Sequence, residues 1–337
     1  MVDGLHARWY EAARFSGRYA FGPLLEVLGG RQAFEQASSS ELLAAGAPAN
    51  LVGALLRAEG PIRASFHSAR IGDSLYPARL LDLPKPPPVI WWIGKLQECL
   101  AVEGLAVVGA RSCTDYGRRM ARRLGSLEAA SGGVLISGAA RGIDRAAHEG
   151  AQEFGRTLAV LGAGLNASVT RSQRKNREAI VESGGAIVSE FPPEQSPSRW
   201  TFPQRNRLVA ALSRAVVVVE AGRRSGALIT AGFARDLDRD VYAIPGPLWS
   251  PASVGCHELI SEGARIVVRL TDPVWERSLH NQLALPPVLR LLRSGPLSQS
   301  EIQDRTCLSA TELRRRIGTY EMAGLVQHLP GARIALA

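Results

Sequence analysis

The chain has 337 residues, 46% of them hydrophobic, with 40 Lys and Arg against 31 Asp and Glu and a net charge of +9. That length allows two or three domains around ample core. The basic balance, with a pI near 9.9, favours a polyanionic partner, and the absence of any apolar run of about 18 residues argues against a membrane-spanning helix. Lysine stands only at Lys85, Lys95 and Lys175, so the positive charge is almost wholly arginine, which suits forked phosphate contacts and stacking on bases. Cys99, Cys113, Cys256 and Cys307 are far apart without a C-x-x-C pair and read as reduced thiols. The scattered histidines suggest no metal site. With no basic-then-apolar leader, a cytoplasmic location is expected.

Residues 1–62 read as a small helical unit. Phe21-Gly22-Pro23 starts one helix and Gly29-Gly30 ends it. Ser38 to Ser40 with Glu41 caps the next, and a turn at Gly46, Pro48 and Asn50 precedes another over Leu51–Leu56. Short helices with Gly-containing hairpins either grip a DNA backbone or simply pack. From Ile71 through Tyr76-Pro77 to Leu83–Pro88 the chain reads as a linker. Val89–Ile93 then reads as an edge strand or a connection, because prolines remove ladder donors.

From Leu105 to about Leu270 strands alternate with helices. Strands are expected at Leu105–Gly109, Val134–Ser137, Leu158–Gly162, Ala186–Ser189, Ala215–Glu220, Val241–Pro245 and Arg265–Val268. Helices are expected near Asp115–Ala130, Ile143–Gly155, Lys175–Ser183, Arg205–Leu212, Ala227–Leu237 and Gly255–Glu262. The alternation predicts an α/β, Rossmann-like, doubly wound and mostly parallel sheet. The β-branched run Val216–Val219 fits a strand buried on both faces. Such sheets bind ligands at the carboxyl ends of their strands. Five segments should converge there: Gly109 to Arg111, Ser137 to Gly142, Gly162 to Gly164, Glu220 to Gly226, and Pro245-Gly246.

The stretch Phe202–Thr230 carries the strongest chemistry. Pro203 sits where a helix can begin, and Arg205 and Arg207 follow near its positive end, where the dipole disfavours cations. Ser225-Gly226 opens the next helix, crowded by Arg223 and Arg224. Four arginines against two helix starts look like an anion site. Glu220 reads as an ion-pair partner orienting Arg223, Arg224 or a neighbouring arginine. Asp144 and His148, one helical turn apart, are the best acid–base candidates, although Asp144 also suits a helix start and His148 can pack or bond locally. No G-x-G-x-x-G follows the first strand, no Walker motif occurs and no G-x-S-x-G is found. A crevice of cations, glycines and small hydroxyls fits binding a phosphodiester backbone better than cutting it. No cofactor is expected.

Residues 284–337 suggest helices at Leu285–Leu292, Ser298–Thr306 and Ser309–Met322, then a hairpin of Leu325–Leu329 and Arg333–Leu336 around Pro330-Gly331. Three helices and a hairpin make a winged helix, with Arg314 to Arg316 on its third helix, where DNA readers place side chains.

The segments Val107 to Gly117, Ser137 to His148, Ser189-Glu190-Phe191-Pro192-Pro193, Phe202 to Arg207, Val219 to Ala231 and Val241 to Gly246 carry a likeness: from about Ile71 to Pro273 the chain resembles the DNA-processing protein A (DprA/Smf) family. The resemblance implies a single-stranded DNA-binding protein of natural transformation (competence) and recombination. It would protect incoming strands, load the RecA recombinase, act as a homodimer and have no enzymatic activity. Its DNA-binding pocket carries over to Gly109, Arg111, Ser137, Gly138, Arg141, Phe202, Arg205, Asn206, Arg207, Ser225 and Gly226. The flanking units resemble the family's N-terminal helical SAM-like domain and C-terminal winged helix, which gives domains at 1–62, 63–275 and 284–337. Two motifs depart from the pattern. The family's Tyr-Pro-x-x-Asn reads Ser172 to Asn176 here, in a basic loop where Arg174 and Lys175 are expected to contact DNA by charge. Its Gly-x-Asn reads Gly255-Cys256-His257. The rivals are a phosphoribohydrolase-like nucleotide-hydrolysing enzyme, whose Pro-Gly-Gly-x-Gly-Thr loop is missing, and a duplex DNA regulator working through the winged helix.

Overall fold

The computed structural model describes residues 5–58, 61–62, 66–269, 287–292, 295–306, 308–322 and 326–336. Strand β1 (Leu5–His6) pairs antiparallel with β2 (Pro61–Ile62) and brackets helices α1 (Ala7–Ala13), α2 (Phe21–Leu28), α3 (Arg31–Gln36), α4 (Ser39–Ala44) and α5 (Ala49–Leu56). Local chemistry sets these bounds. Gly29 ends α2 in the left-handed region, at φ 82°, where glycine carries no steric cost. Ser38 and Glu41 close a capping box at the start of α4. The helices α1 and α3 were not expected, since each offers too few apolar positions to show a period. They are held by burial instead: Trp9 and Phe34 meet at 4.7 Å, in a core continuous with Trp91 and Leu158 of the main sheet.

That sheet comprises β3 (His67–Arg70), β4 (Val89–Gly94), β5 (Gly104–Val108), β6 (Val134–Ser137), β7 (Thr157–Val160), β8 (Ala186–Ser189), β9 (Ser213–Val218), β10 (Asp240–Ala243) and β11 (Arg265–Ile266). Its order is β11-β10-β9-β5-β6-β7-β8-β4-β3. Strands β5 to β11 are mutually parallel, while β4 runs antiparallel to β8 and β3 antiparallel to β4. The expected edge position of Val89–Ile93 is therefore corrected. The prolines precede β4 rather than interrupt it, and Trp91 pairs with Ser189 on one side and Ser68 on the other.

The short α6 (Leu96–Leu100) follows β4, and the crossovers between the parallel strands are α7 (Asp115–Ala130), α8 (Ile143–Gln152), α9 (Arg171–Glu182), α10 (Thr201–Leu212), α11 (Gly226–Asp236) and α12 (Val254–Ser261). Side-chain alternation along each strand covers both faces. Leu105 and Val107 pack with Leu124 and Ala147 of α7 and α8, while Ala106 and Val108 pack with Leu208, Ala211 and Ala231 of α10 and α11. The mostly parallel α/β fold is thus as expected. Most strands end one or two residues earlier than expected, which leaves their last residues to the loops above the sheet. Two helices differ more: α10 begins at Thr201 rather than Arg205, and α9 begins at Arg171, where Thr170 and Gln173 form a capping box, so Arg174 and Lys175 stand in its first turns and not in a loop.

The chain winds outward through β5, β6, β7 and β8, then returns to lay β9 on the other side of β5. The order of the sheet therefore reverses between β5 and β9.

Toward the carboxyl end lie α13 (Pro287–Leu292), α14 (Gln299–Thr306), α15 (Ala310–Met322) and a small antiparallel sheet in the order β12 (Leu297–Ser298), β14 (Arg333–Leu336), β13 (Val326–Leu329). Tyr320 of α15 stacks on Phe154 at 5.7 Å, and Ala130 of α7 joins their core. The expected helix residues 285–286 and strand residue 325 lie outside the described residues, as does Cys307. Cys99, Cys113 and Cys256 are free thiols. No helix among the described residues is long and apolar enough to cross a membrane.

Candidate nucleic-acid interface

A cleft of 680 Å³ opens where the strand order reverses. Its walls are the loop after β5, the loop after β6, the loop after β9 and the first turns of α10 and α11. The loop after β5 is built on Glu220, just beyond β9. The Glu220 carboxylate accepts hydrogen bonds from the Thr114 N–H at 2.9 Å and from the Thr114 hydroxyl, while its backbone carbonyl accepts from Ala110 N–H at 2.7 Å. Gly117 is required there because a Cβ would strike that carboxylate. The expected pairing of Glu220 with arginine is therefore corrected: its negative charge is spent at the positive end of α7.

The loop after β6 is held by Asp144, whose Oδ2 accepts from Gly138 N–H at 3.1 Å and from Ala140 N–H at 3.4 Å. Burial pushes the Asp144 carboxyl above the ordinary range, against the opposing pull of Arg205 and these N–H groups. Arg205 rises from α10 into the same corner. It is 4% exposed, and burial pushes its guanidinium down to about 10, with Asp144 opposing and Arg111 adding. It therefore remains a cation at neutral pH. One Arg205 N–H donates to the Val160 carbonyl, while its Nε has no hydrogen-bond partner among the described residues. Beside it, the exposed Arg111 lays its guanidinium over the Phe202 ring, 4.6 Å from the centroid. Ser225 caps α11 through Ala227 N–H at 3.3 Å, and Asn206 donates to the Gly226 carbonyl at 3.1 Å, which ties the starts of α10 and α11 together.

His148 shares the helix of Asp144 but not its surroundings. Its Nδ1 lies 2.7 Å from the Thr157 hydroxyl, which donates to the Leu135 carbonyl. Burial pushes its pKa down to about 3, so the ring stays neutral near pH 7 and cannot exchange protons there.

A family model for DNA recombination-mediator protein A matches residues 67–277. The chain belongs to the DNA recombination-mediator protein A family. It is 42% identical to Protein Smf of Escherichia coli over 292 residues, which cover 81% of this chain and 78% of that one. With Protein Smf of Synechocystis it shares 40% identity over 200 residues, 58% of this chain and half the length of that relative. The fold is similar to the X-ray structure of DNA processing protein A from Streptococcus pneumoniae, with a TM-score of 0.67 and 28% identity over 82% of this chain and 98% of that one. It is also similar to DNA processing protein A from Helicobacter pylori, with a TM-score of 0.56 and 25% identity over 65% of this chain and 97% of that one. The Helicobacter structure was described for its single-stranded DNA binding mode.

In this member of the DNA recombination-mediator protein A family, Gly109, Arg111, Gly138, Phe202, Arg205, Asn206, Ser225 and Gly226 meet in one cleft. Ser137 lies beneath it, fully buried, donating to the Val107 carbonyl at 2.6 Å. Arg141 is exposed on the loop after β6 but outside the lining. Arg207 points away. It is buried against Glu190, also donates to the Lys85 carbonyl at 2.9 Å, and reaches the Ser16 hydroxyl at 3.3 Å. The expectation of four arginines around one anion is corrected accordingly: two residues apart on a helix, Arg205 and Arg207 cannot share a face. Arg223 and Arg224 do line the cleft, although Arg223 also pairs with Glu258 at 3.1 Å.

Of the five segments expected to converge, those beginning at Gly109, Ser137 and Glu220 supply lining residues. Gly162 packs beneath Phe202 and Gly164 against Pro192 and Pro193. Pro245 and Gly246 accept hydrogen bonds from Tyr116 and His257 instead. Arg174 lines a second cleft of 530 Å³, with Leu165 and Arg177, and Lys175 is exposed beside it. Arg199 lines the main cleft and was missed. Its only sequence signal was the Arg199-Trp200 pair one turn before Phe202.

Proposed function

We propose that this protein binds single-stranded DNA, with the strand running through the β5–β9 cleft. Its phosphates would lie against Arg111, Arg205 and the start of α11, and a base would lie near Phe202. The carrying observation is Arg205, a cation nearly removed from water that lines the cleft beside the exposed Arg111. A buried charge is costly until it is paired and hydrogen-bonded, and a phosphate oxygen supplies both. Arg111 over Phe202 offers cation and aromatic face together, the combination that holds single strands without reading sequence. The single-stranded DNA binding mode described for the Helicobacter relative supports the same reading.

Within this proposal the protein acts in natural transformation and recombination without catalysis. It protects the incoming strand and passes it to the RecA recombinase as a homodimer. The second cleft, with Arg174 and Lys175, extends the strand's path. Residues 1–62, 63–275 and 284–337 serve as a SAM-like unit, a DNA-binding Rossmann-like unit and a winged-helix unit.

The test is a titration against a labelled single-stranded oligonucleotide and its duplex at several salt concentrations. The single strand should bind tighter, with a slope of log affinity on log salt of about −0.7 per phosphate contacted. Duplex preference would move the activity to the carboxyl-terminal helices. Release of free base from nucleoside monophosphates would make the cleft a hydrolase site.

A further inference from the structure

Leu248 and Trp249 are 83% and 86% exposed, more than any other large hydrophobic side chain among the described residues. They project from the loop after β10, and that loop is not slack. Ala252 accepts from Ala221 N–H at 2.8 Å, Pro247 from Ser250 N–H at 3.0 Å, and Ser250 from Ser253 N–H at 3.0 Å. Pro245, Pro247 and Pro251 fix three more φ angles. An indole held in water on a braced loop forgoes the gain of burial and marks a contact surface.

The loop adjoins the cleft. The Pro251 carbonyl oxygen lies 3.6 Å from where a Cβ on Gly222 would stand, and Gly222 lines the cleft beside the exposed Arg223 and Arg224. A second exposed indole, Trp200 at 64%, stands at the start of α10. There the guanidinium of Arg199, another lining residue, lies 4.8 Å from its ring centroid. The Trp200 rim therefore pairs an exposed aromatic with a cleft-lining arginine, and the loop of Trp249 adjoins the segment that carries two more, Arg223 and Arg224. A partner that suits both must be flat and apolar on one side and anionic on the other, as a nucleotide is.

We infer that Trp249 and Trp200 are base-stacking platforms that carry a single strand beyond the cleft on either side. This rests on the single-stranded DNA reading of the cleft. Arginine holds the phosphates, and each indole takes the face of a flanking base, a contact tolerant of sequence because every base has a π-face.

The experiment measures anisotropy of a labelled 30-nucleotide thymidine strand and of an abasic strand of equal length. It compares the full chain with Trp249→Ala, Trp249→Phe, Trp200→Ala and Arg111→Glu. Each alanine variant should bind the thymidine strand roughly 5- to 10-fold more weakly, the lower range for stacking on an aromatic side chain. On the abasic strand both should bind like the wild type, and Trp249→Phe should retain most of the affinity. Alanine variants that bind thymidine within twofold of wild type, or lose as much on the abasic strand, overturn the inference. In either case a weakened Arg111→Glu leaves the cleft reading intact, whereas an unaffected Arg111→Glu removes that reading as well. Loss of self-association in Trp249→Ala with unchanged DNA affinity would assign the patch to a second copy of the chain.

Discussion

Gly138 has no side chain where the guanidinium of Arg205 needs the space: a Cβ on Gly138 would overlap the end of that side chain. The glycine that follows β6 and the arginine on α10 are therefore one device, and Asp144 fixes it by accepting the Gly138 N–H at 3.1 Å.

Gly138→Ala should displace Arg205 from the cleft wall while the sheet beneath stays intact. The loss of one charge-assisted hydrogen bond to phosphate is worth roughly 1.5–3 kcal/mol, or about 10- to 100-fold in single-strand affinity. Anisotropy titration of the variant checks this, with thermal unfolding beside it to show a folded chain. Wild-type affinity would mean that Arg205 does not meet the strand.

The Glu190–Arg207 pair joins the loop just after β8 to α10, and Ser16 of the amino-terminal helical region donates to the same Glu190 carboxylate. Side chains 0% and 9% exposed leave no water to compensate a lost partner. Glu190→Ala should cost about 3–5 kcal/mol in urea unfolding, and Glu190→Leu with Arg207→Met should recover most of it. A cost below about 1 kcal/mol for the single variant would contradict a paired, dry contact.

His148 sets an acid limit. Its pKa is about 3 when folded, against an ordinary 6.5. Below pH 6.5 the unfolded chain binds a proton that the folded chain refuses, so stability falls as the pH falls. At pH 5 that deficit is about 2 kcal/mol. Between pH 7.5 and pH 5, wild-type protein should lose about that much more than His148→Phe, in which Thr157 keeps its bond to the Leu135 carbonyl. Equal losses would show that this ring does not set the limit.

The sheet and its helices were legible because their signals are local. Val216 to Val219 is a continuous β-branched run, and α7 spans Asp115–Ala130 as expected because Thr114 caps it through Gly117 N–H at 3.1 Å. The pairing of charges was less legible. Arg207 and Glu190 lie 17 residues apart on different elements, and Glu220 reaches Thr114 across 106 residues, so neither contact has a periodic trace. The capping box of Thr170 and Gln173 could have been read. The basic run after it, set against a family motif with a proline, favoured a loop.

The most direct measurement is single-strand affinity against salt for Arg111→Glu beside Arg156→Glu. Arg111 lines the cleft at the carboxyl end of β5. Arg156, with its side chain 44% exposed, stands before β7 at the opposite end of the strands. Binding through the cleft predicts at least a tenfold loss in Arg111→Glu, with a salt slope shallower by about 0.7, and near wild-type behaviour in Arg156→Glu. Equal losses in the two variants, or wild-type affinity in Arg111→Glu, would contradict it.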